Sequence, residues 1–161
     1  MSLRVDFTVA AIAERDGRFL IVQERAARRI VLNQPAGHLE DGESLCDAVV
    51  RETREETGRA FEPDALLGLY LWRGPGERTV LRVAFAGSVA ERDDSIPLDR
   101  AIIRTLWLGR LELAARTAEL RSPLVMRCID DYLQGARYPL ALLNDVPADE
   151  LPRLAAAPAL R

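Results

Sequence analysis

The sequence predicts a single α/β domain in which a mixed β-sheet is packed against helices. Three observations carry that expectation. Short β-branched and apolar runs alternate with turns in both halves of the chain, one well-delimited helix interrupts them after a first hairpin, and a second helix comes near the end. With 161 residues, 48% of them apolar and 29% charged, the chain has the size and composition of one globular domain around one core.

Val5 to Ala13 is apolar and β-branched, and Arg18 to Arg25 follows the turn Arg15-Asp16-Gly17, so the two form a hairpin. Leu32 to Gly37 reads as a turn-rich stretch, followed by a second turn at Glu40-Asp41-Gly42. Ser44 then offers an N-cap with Asp47 three residues on, and the helix runs to about Thr57, where Gly58 supplies a left-handed stop. Strands are expected over Leu66 to Trp72, Thr79 to Val89 and Ile102 to Leu108, the first two separated by Gly74-Pro75-Gly76. Ser122-Pro123 opens a second helix reaching about Leu133, with Pro at its first position. Residues 1–145 form the domain, and 146–161 are a Pro- and Ala-rich tail of weak periodicity.

Composition excludes several chemistries. The net charge of −3 lacks the basic surplus of a protein that grips a nucleic-acid duplex. All 22 basic residues are Arg, which removes Schiff-base lysines and a Walker-type phosphate loop. Cys46 and Cys128 make neither a disulfide framework nor a zinc site, and the single histidine, His38, excludes a site needing two. No apolar run is long enough to span a bilayer and the N-terminus has no signal-peptide core, so a cytoplasmic protein with no membrane partner is expected.

The most informative stretch is Gly37 to Gly58, GHLEDGESLCDAVVRETREETG. On a helix, Cys46, Val49, Val50 and Thr53 form the buried stripe, while Glu52, Glu55 and Glu56 gather on a neighbouring face. Glu52 and Glu56 lie one turn apart and repel, and Arg51 stands four residues before Glu55 as an ordinary surface pair worth roughly 0.3–0.5 kcal/mol. A solvated acidic face therefore gains no obvious helix stability. Carboxylates converging from one face suit a hard divalent cation such as Mg²⁺, which takes oxygen ligands and keeps several waters.

The whole spacing from Gly37 through Glu43, Arg51-Glu52 and Glu55-Glu56 to Gly58 matches the Nudix box, and chance occurrence is on the order of 10⁻⁶. The chain resembles the Nudix hydrolases, which cleave nucleoside diphosphates linked to another moiety, and related pyrophosphates, using Mg²⁺ or Mn²⁺. That resemblance implies a Nudix-type α/β/α sandwich with a mixed sheet. It also implies Glu52 and Glu56 as principal metal ligands, Glu55 as a further one, and the Gly37 carbonyl as an additional oxygen. Arg51 would orient the glutamates and Glu43 would anchor that arrangement. The general base falls to Glu52, with Asp99 the remaining acid nearby. Thr53 and Arg59 depart from the box, where aliphatic residues are usual.

The flanks, NQPAGHLE from Asn33, Trp72 in LYLWRGPG, LRSPLV from Leu120 and RYPL from Arg137, are similar to the NudJ-type phosphatase branch of that family. The resemblance covers roughly residues 5 to 145, and Leu32 departs from it where the branch often has Trp. It implies hydrolysis of nucleoside tri- and diphosphates and hydroxymethylpyrimidine pyrophosphate, by a monomer or homodimer. Trp72 is either core or a ring platform for a base, whereas Trp107 lies inside an apolar strand and reads as core. Arg25, Arg28 and Arg29 are either solvated or substrate-binding, with Arg25 and Arg29 the preferred phosphate contacts. Two other readings remain: a pyrophosphatase of oxidised nucleotides or ADP-ribose, and a non-catalytic nucleotide sensor on the same fold.

Overall fold

The computed structural model describes residues 4–76 and 78–146. Its strands are β1 (Val5–Arg15), β2 (Arg18–Ala26), β3 (Arg29–Asn33), β4 (Ala36–His38), β5 (Phe61–Arg73), β6 (Thr79–Val89) and β7 (Ile102–Gly109). Its helices are α1 (Leu45–Thr57), the single-turn α2 (Arg110–Ala114) and α3 (Leu124–Leu133). Residues 147–161, most of the expected tail, lie outside the described residues.

One mixed sheet of seven strands runs in the order β3-β2-β1-β6-β5, with β4 on β1 and β7 on β2. The β1–β6 pairing is parallel and every other one antiparallel. The hairpin between β1 and β2 closes on Asp16 and Gly17, both at positive φ, which matches the right-handed twist of the flanking strands.

Alternation along β1 builds a core on each face of the sheet. Val9, Ala11 and Ala13 pack with Ala48 and Val49 of α1, while Ala10 and Ile12 pack with Val125, Cys128 and Ile129 of α3. Helices therefore cover both faces, as expected of an α/β/α sandwich. Ser44 caps α1 by accepting from the Asp47 amide at 3.1 Å, and Gly58 ends it at φ 67°.

Two expectations are corrected. Leu32 to Gly37 is not turn throughout: it holds the end of β3 and the start of β4. Asn33 and Gln34 look like turn residues, yet both are buried and their amides serve a polar network beside the cleft. The buried stripe of α1 is rotated from the one expected. Ala48, Val49, Thr53, Glu56 and Thr57 are buried, while Cys46 and Val50 are only partly covered. Trp107 packs against the core on the α1 side of the sheet, as expected, and its half-buried ring is covered by the Arg15 and Arg59 guanidiniums, 5.0 and 5.7 Å from its centre. Arg59 thus covers an aromatic ring where the box usually has an aliphatic side chain. Thr53 meets its burial by donating its hydroxyl to the Val49 carbonyl at 2.7 Å.

Candidate active site

A cleft of about 360 Å³ opens where the second half of α1, strand β4, the β1–β6 floor and the start of α3 meet. That volume is in the range of small-molecule sites. Glu52, Glu55, Glu56 and Gly37 line one end, with Asp99 beside them. Trp72 lines the other. Its ring lies over Gly74, where a Cβ would come within 2.7 Å of Cη2, so the turn needs glycine for the ring to rest there.

One guanidinium organises the acidic end. Arg51 reaches across from α1 to the loop and forks onto Glu43, Nε to Oε2 at 2.9 Å and Nη2 to Oε1 at 2.7 Å. Its Nη1 donates to Glu52 Oε1 at 2.9 Å and, at 3.4 Å, to Glu55 Oε2. Its Nη2 also donates to the His38 carbonyl at 3.0 Å. Three carboxylates and the β4 backbone are thereby tied to one rigid planar group. The hydrogen bonds from Arg51 hold the Glu43 carboxyl below the usual range, even though Glu43 lies outside the cleft itself.

Glu52 and Glu56 sit deeper. Burial raises the Glu52 carboxyl, opposed by Arg51. Burial likewise pushes Glu56 up to about 9, against a 2.9 Å hydrogen bond from the Ala36 amide and with Glu24, Glu52 and Asp99 adding negative charge. The Glu52 carboxylate rests directly on Gly37, in space a Cβ would fill. Glu55 is exposed at the rim.

These residues suit a divalent cation. The donor set is hard oxygen, Gly37 leaves a cradle, and the excess of carboxylates over partners lowers the cost of placing positive charge there. Among the described residues, no three carboxylate, imidazole or thiol groups stand together as a ready-made cage. Glu52 Oε2 and Glu56 Oε1 accept no hydrogen bond from those residues and are free to face an ion, with water completing its shell as Mg²⁺ prefers.

The structure brings Gly37, Glu52, Glu55, Glu56 and Trp72 to one cleft and sets Arg51 and Glu43 behind it. It does not bring Arg25 or Arg29 there. Glu24 faces the cleft, so strand alternation turns Arg25 to the other side of β2, where it is exposed. Arg29 donates to the Ala118 carbonyl at 2.7 Å. The arginines that line the cleft are Arg78, Arg82 and Arg121. Arg82 had a sequence signal: it interrupts the apolar run of β6 on a face shared with Val80 and Ala84. Cys46, partly covered and with its thiol pushed up by burial, is not a reactive nucleophile.

Comparison with known proteins gives a consistent result. The NUDIX domain family matches residues 2–128. "Phosphatase NudJ" of Escherichia coli (strain K12) is 37% identical over 138 residues, covering 86% of this chain and 90% of that protein, and the Shigella sonnei (strain Ss046) protein of the same name matches to the same extent. The solved structure of a NUDIX hydrolase from Nitrosomonas europaea superposes with a TM-score of 0.86 at 45% identity, covering 89% of this chain and 98% of that one. No described helix is long and apolar enough to cross a membrane.

Proposed function

The chain belongs to the Nudix hydrolase family, and from that premise we propose Mg²⁺- or Mn²⁺-dependent hydrolysis of pyrophosphate bonds in small phosphorylated metabolites. The substrates proposed are nucleoside di- and triphosphates and hydroxymethylpyrimidine pyrophosphate, with release of orthophosphate. Identity to the NudJ phosphatases over most of the chain supports the phosphatase branch. We take residues 1–145 as the catalytic unit, acting in the cytoplasm as a monomer or homodimer.

The observation that carries this reading is the Arg51 clamp, which holds Glu43 and Glu52 and leaves Glu52 pressed against Gly37. Glu52, Glu56, Glu55 and the Gly37 carbonyl would hold the cation. When bound, the cation brings water and phosphate together and neutralises developing charge. The side chains do the rest. Glu52, its Oε1 fixed by Arg51, would also serve as the general base toward the attacking water. Arg51 prevents Glu52 from swinging away and contributes no contact to substrate. Trp72 offers a ring face to the organic moiety at the far end of the cleft.

The test is turnover of a panel of nucleoside di- and triphosphates and hydroxymethylpyrimidine pyrophosphate with Mg²⁺ and with EDTA. Phosphate release that stops with EDTA is expected. Inertness toward every diphosphate in Mg²⁺ or Mn²⁺ would contradict the reading.

A further inference from the structure

The cleft contains a cation that the box does not account for. Arg82 is only 5% exposed, and its exposed fraction lies in the cleft wall. Its Nη1 donates to Gln34 Oε1 at 3.2 Å and its Nη2 to Asn33 Oδ1 at 3.4 Å, two neutral acceptors at long range, and its Nε has no partner. The buried Glu24 is committed elsewhere: it pairs with Arg121 at 3.2 Å and accepts from Asn33 at 3.3 Å. Arg78, also in the wall, is paired with Asp6 at 2.8 Å. Among the described residues, Arg82 is thus the cleft arginine that forms no ion pair: the Cys128 thiol lies against it, and the charge of Glu24 reaches it only at a distance because that carboxylate is already shared with Arg121. A guanidinium stays protonated when buried, so an unneutralised one is costly unless an anion comes to it.

A second orphan lies beside it. Thr8 stands opposite Arg82 in the parallel β1–β6 register, also lines the cleft, and its buried Oγ1 has no partner. The order across the sheet fixes what passes over them. His38 of β4 pairs with Thr8, Thr8 with Arg82, and Arg82 with Tyr70 of β5, two residues from Trp72. With neighbouring strands roughly 4.8 Å apart, a ligand stretched from Gly37 and Glu52 to Trp72 crosses Thr8 and Arg82 midway.

We propose that Arg82, assisted by Thr8, binds the phosphoryl group joined to the organic moiety of the substrate, the group the monophosphate product retains. This assignment rests on the pyrophosphohydrolase reading, in which the acidic end handles the departing phosphate and Trp72 the organic part. The phosphate between them needs a positive charge of its own, and the planar guanidinium matches its oxygens.

Binding of CMP and of cytidine, titrated in EDTA by NMR, tests it. CMP should bind the wild type, and Arg82→Met should weaken it by roughly 10- to 100-fold, as expected for a lost charge-assisted contact. Cytidine should bind both proteins equally, and Arg82→Lys should recover part of the CMP affinity. Should Arg82→Met not fold, the nearly isosteric Thr8→Val carries the test, with weaker CMP and unchanged cytidine. No CMP binding to the wild type, CMP affinity unchanged in the folded variants, or an equal loss for cytidine would overturn the proposal. Failure of the pyrophosphohydrolase reading is seen separately, as a wild type that hydrolyses no diphosphate with Mg²⁺ or Mn²⁺.

Discussion

The carboxylate of Glu52 occupies the space into which a side chain on Gly37 would grow. Strand β4 and helix α1 follow one another in the chain, joined by the 39–44 loop, and this contact between them sets how deep Glu52 sits. Gly37→Ala should therefore displace Glu52 and lower kcat by on the order of 10², because small misplacements of a reacting group are expensive. Far-ultraviolet circular dichroism would verify the fold. Unchanged kcat would mean that Glu52 has no positional role.

Glu56→Gln preserves size and the acceptor for the Ala36 amide but can no longer ionise to hold a cation. Loss of cation positioning should reduce kcat by on the order of 10³ in a folded protein. Near-normal turnover at saturating Mg²⁺ would remove Glu56 from the ligand set.

Burial of Glu56 makes metal-free stability depend on pH. With its carboxyl pushed up to about 9, the folded state keeps a proton that the unfolded chain releases above the ordinary carboxylate value of 4.5. This contribution is fully present below 4.5 and is lost as pH rises toward 9. In EDTA, the Tm of the wild type should thus fall more steeply between pH 6 and 9 than that of Glu56→Gln. Mg²⁺ should flatten the wild-type trend by binding the ionised form. Parallel slopes in EDTA would contradict it.

Trp72 is a half-buried ring at the cleft edge rather than a core residue. Stacking is worth about 1–3 kcal/mol per base, so Trp72→Ala should raise KM for a nucleoside diphosphate by roughly 5- to 150-fold with the fold intact. A lower Tm with unchanged KM would show a packing role instead.

The acidic half of this cleft was legible in the sequence because it is local. Gly37 to Gly58 carries its own cap, stop, spacing and charge, and the interaction of Arg51 with Glu43 and Glu52 lies within that segment. Of the rest of the cleft only Trp72 was legible, because residues distant in sequence build it across strands. Thr8, Glu24, Asn33 and Arg82 come from four strands, and only register places them together. Arg25 and Arg29 were plausible as charges near the box, but strand parity, invisible without knowing which face is the cleft, turns Arg25 away. Asn33 and Gln34 mimic a turn because their amide side chains, buried here, are usually solvent-facing.

In the proposed reaction the site releases a terminal phosphoryl group from a diphosphate. Phosphorus NMR of the reaction with Mg²⁺ reads the products directly. Orthophosphate and the monophosphate are expected from nucleoside diphosphates and from hydroxymethylpyrimidine pyrophosphate, with stepwise orthophosphate release from triphosphates. Pyrophosphate as the main product from a triphosphate, with diphosphates inert, would contradict terminal phosphoryl release.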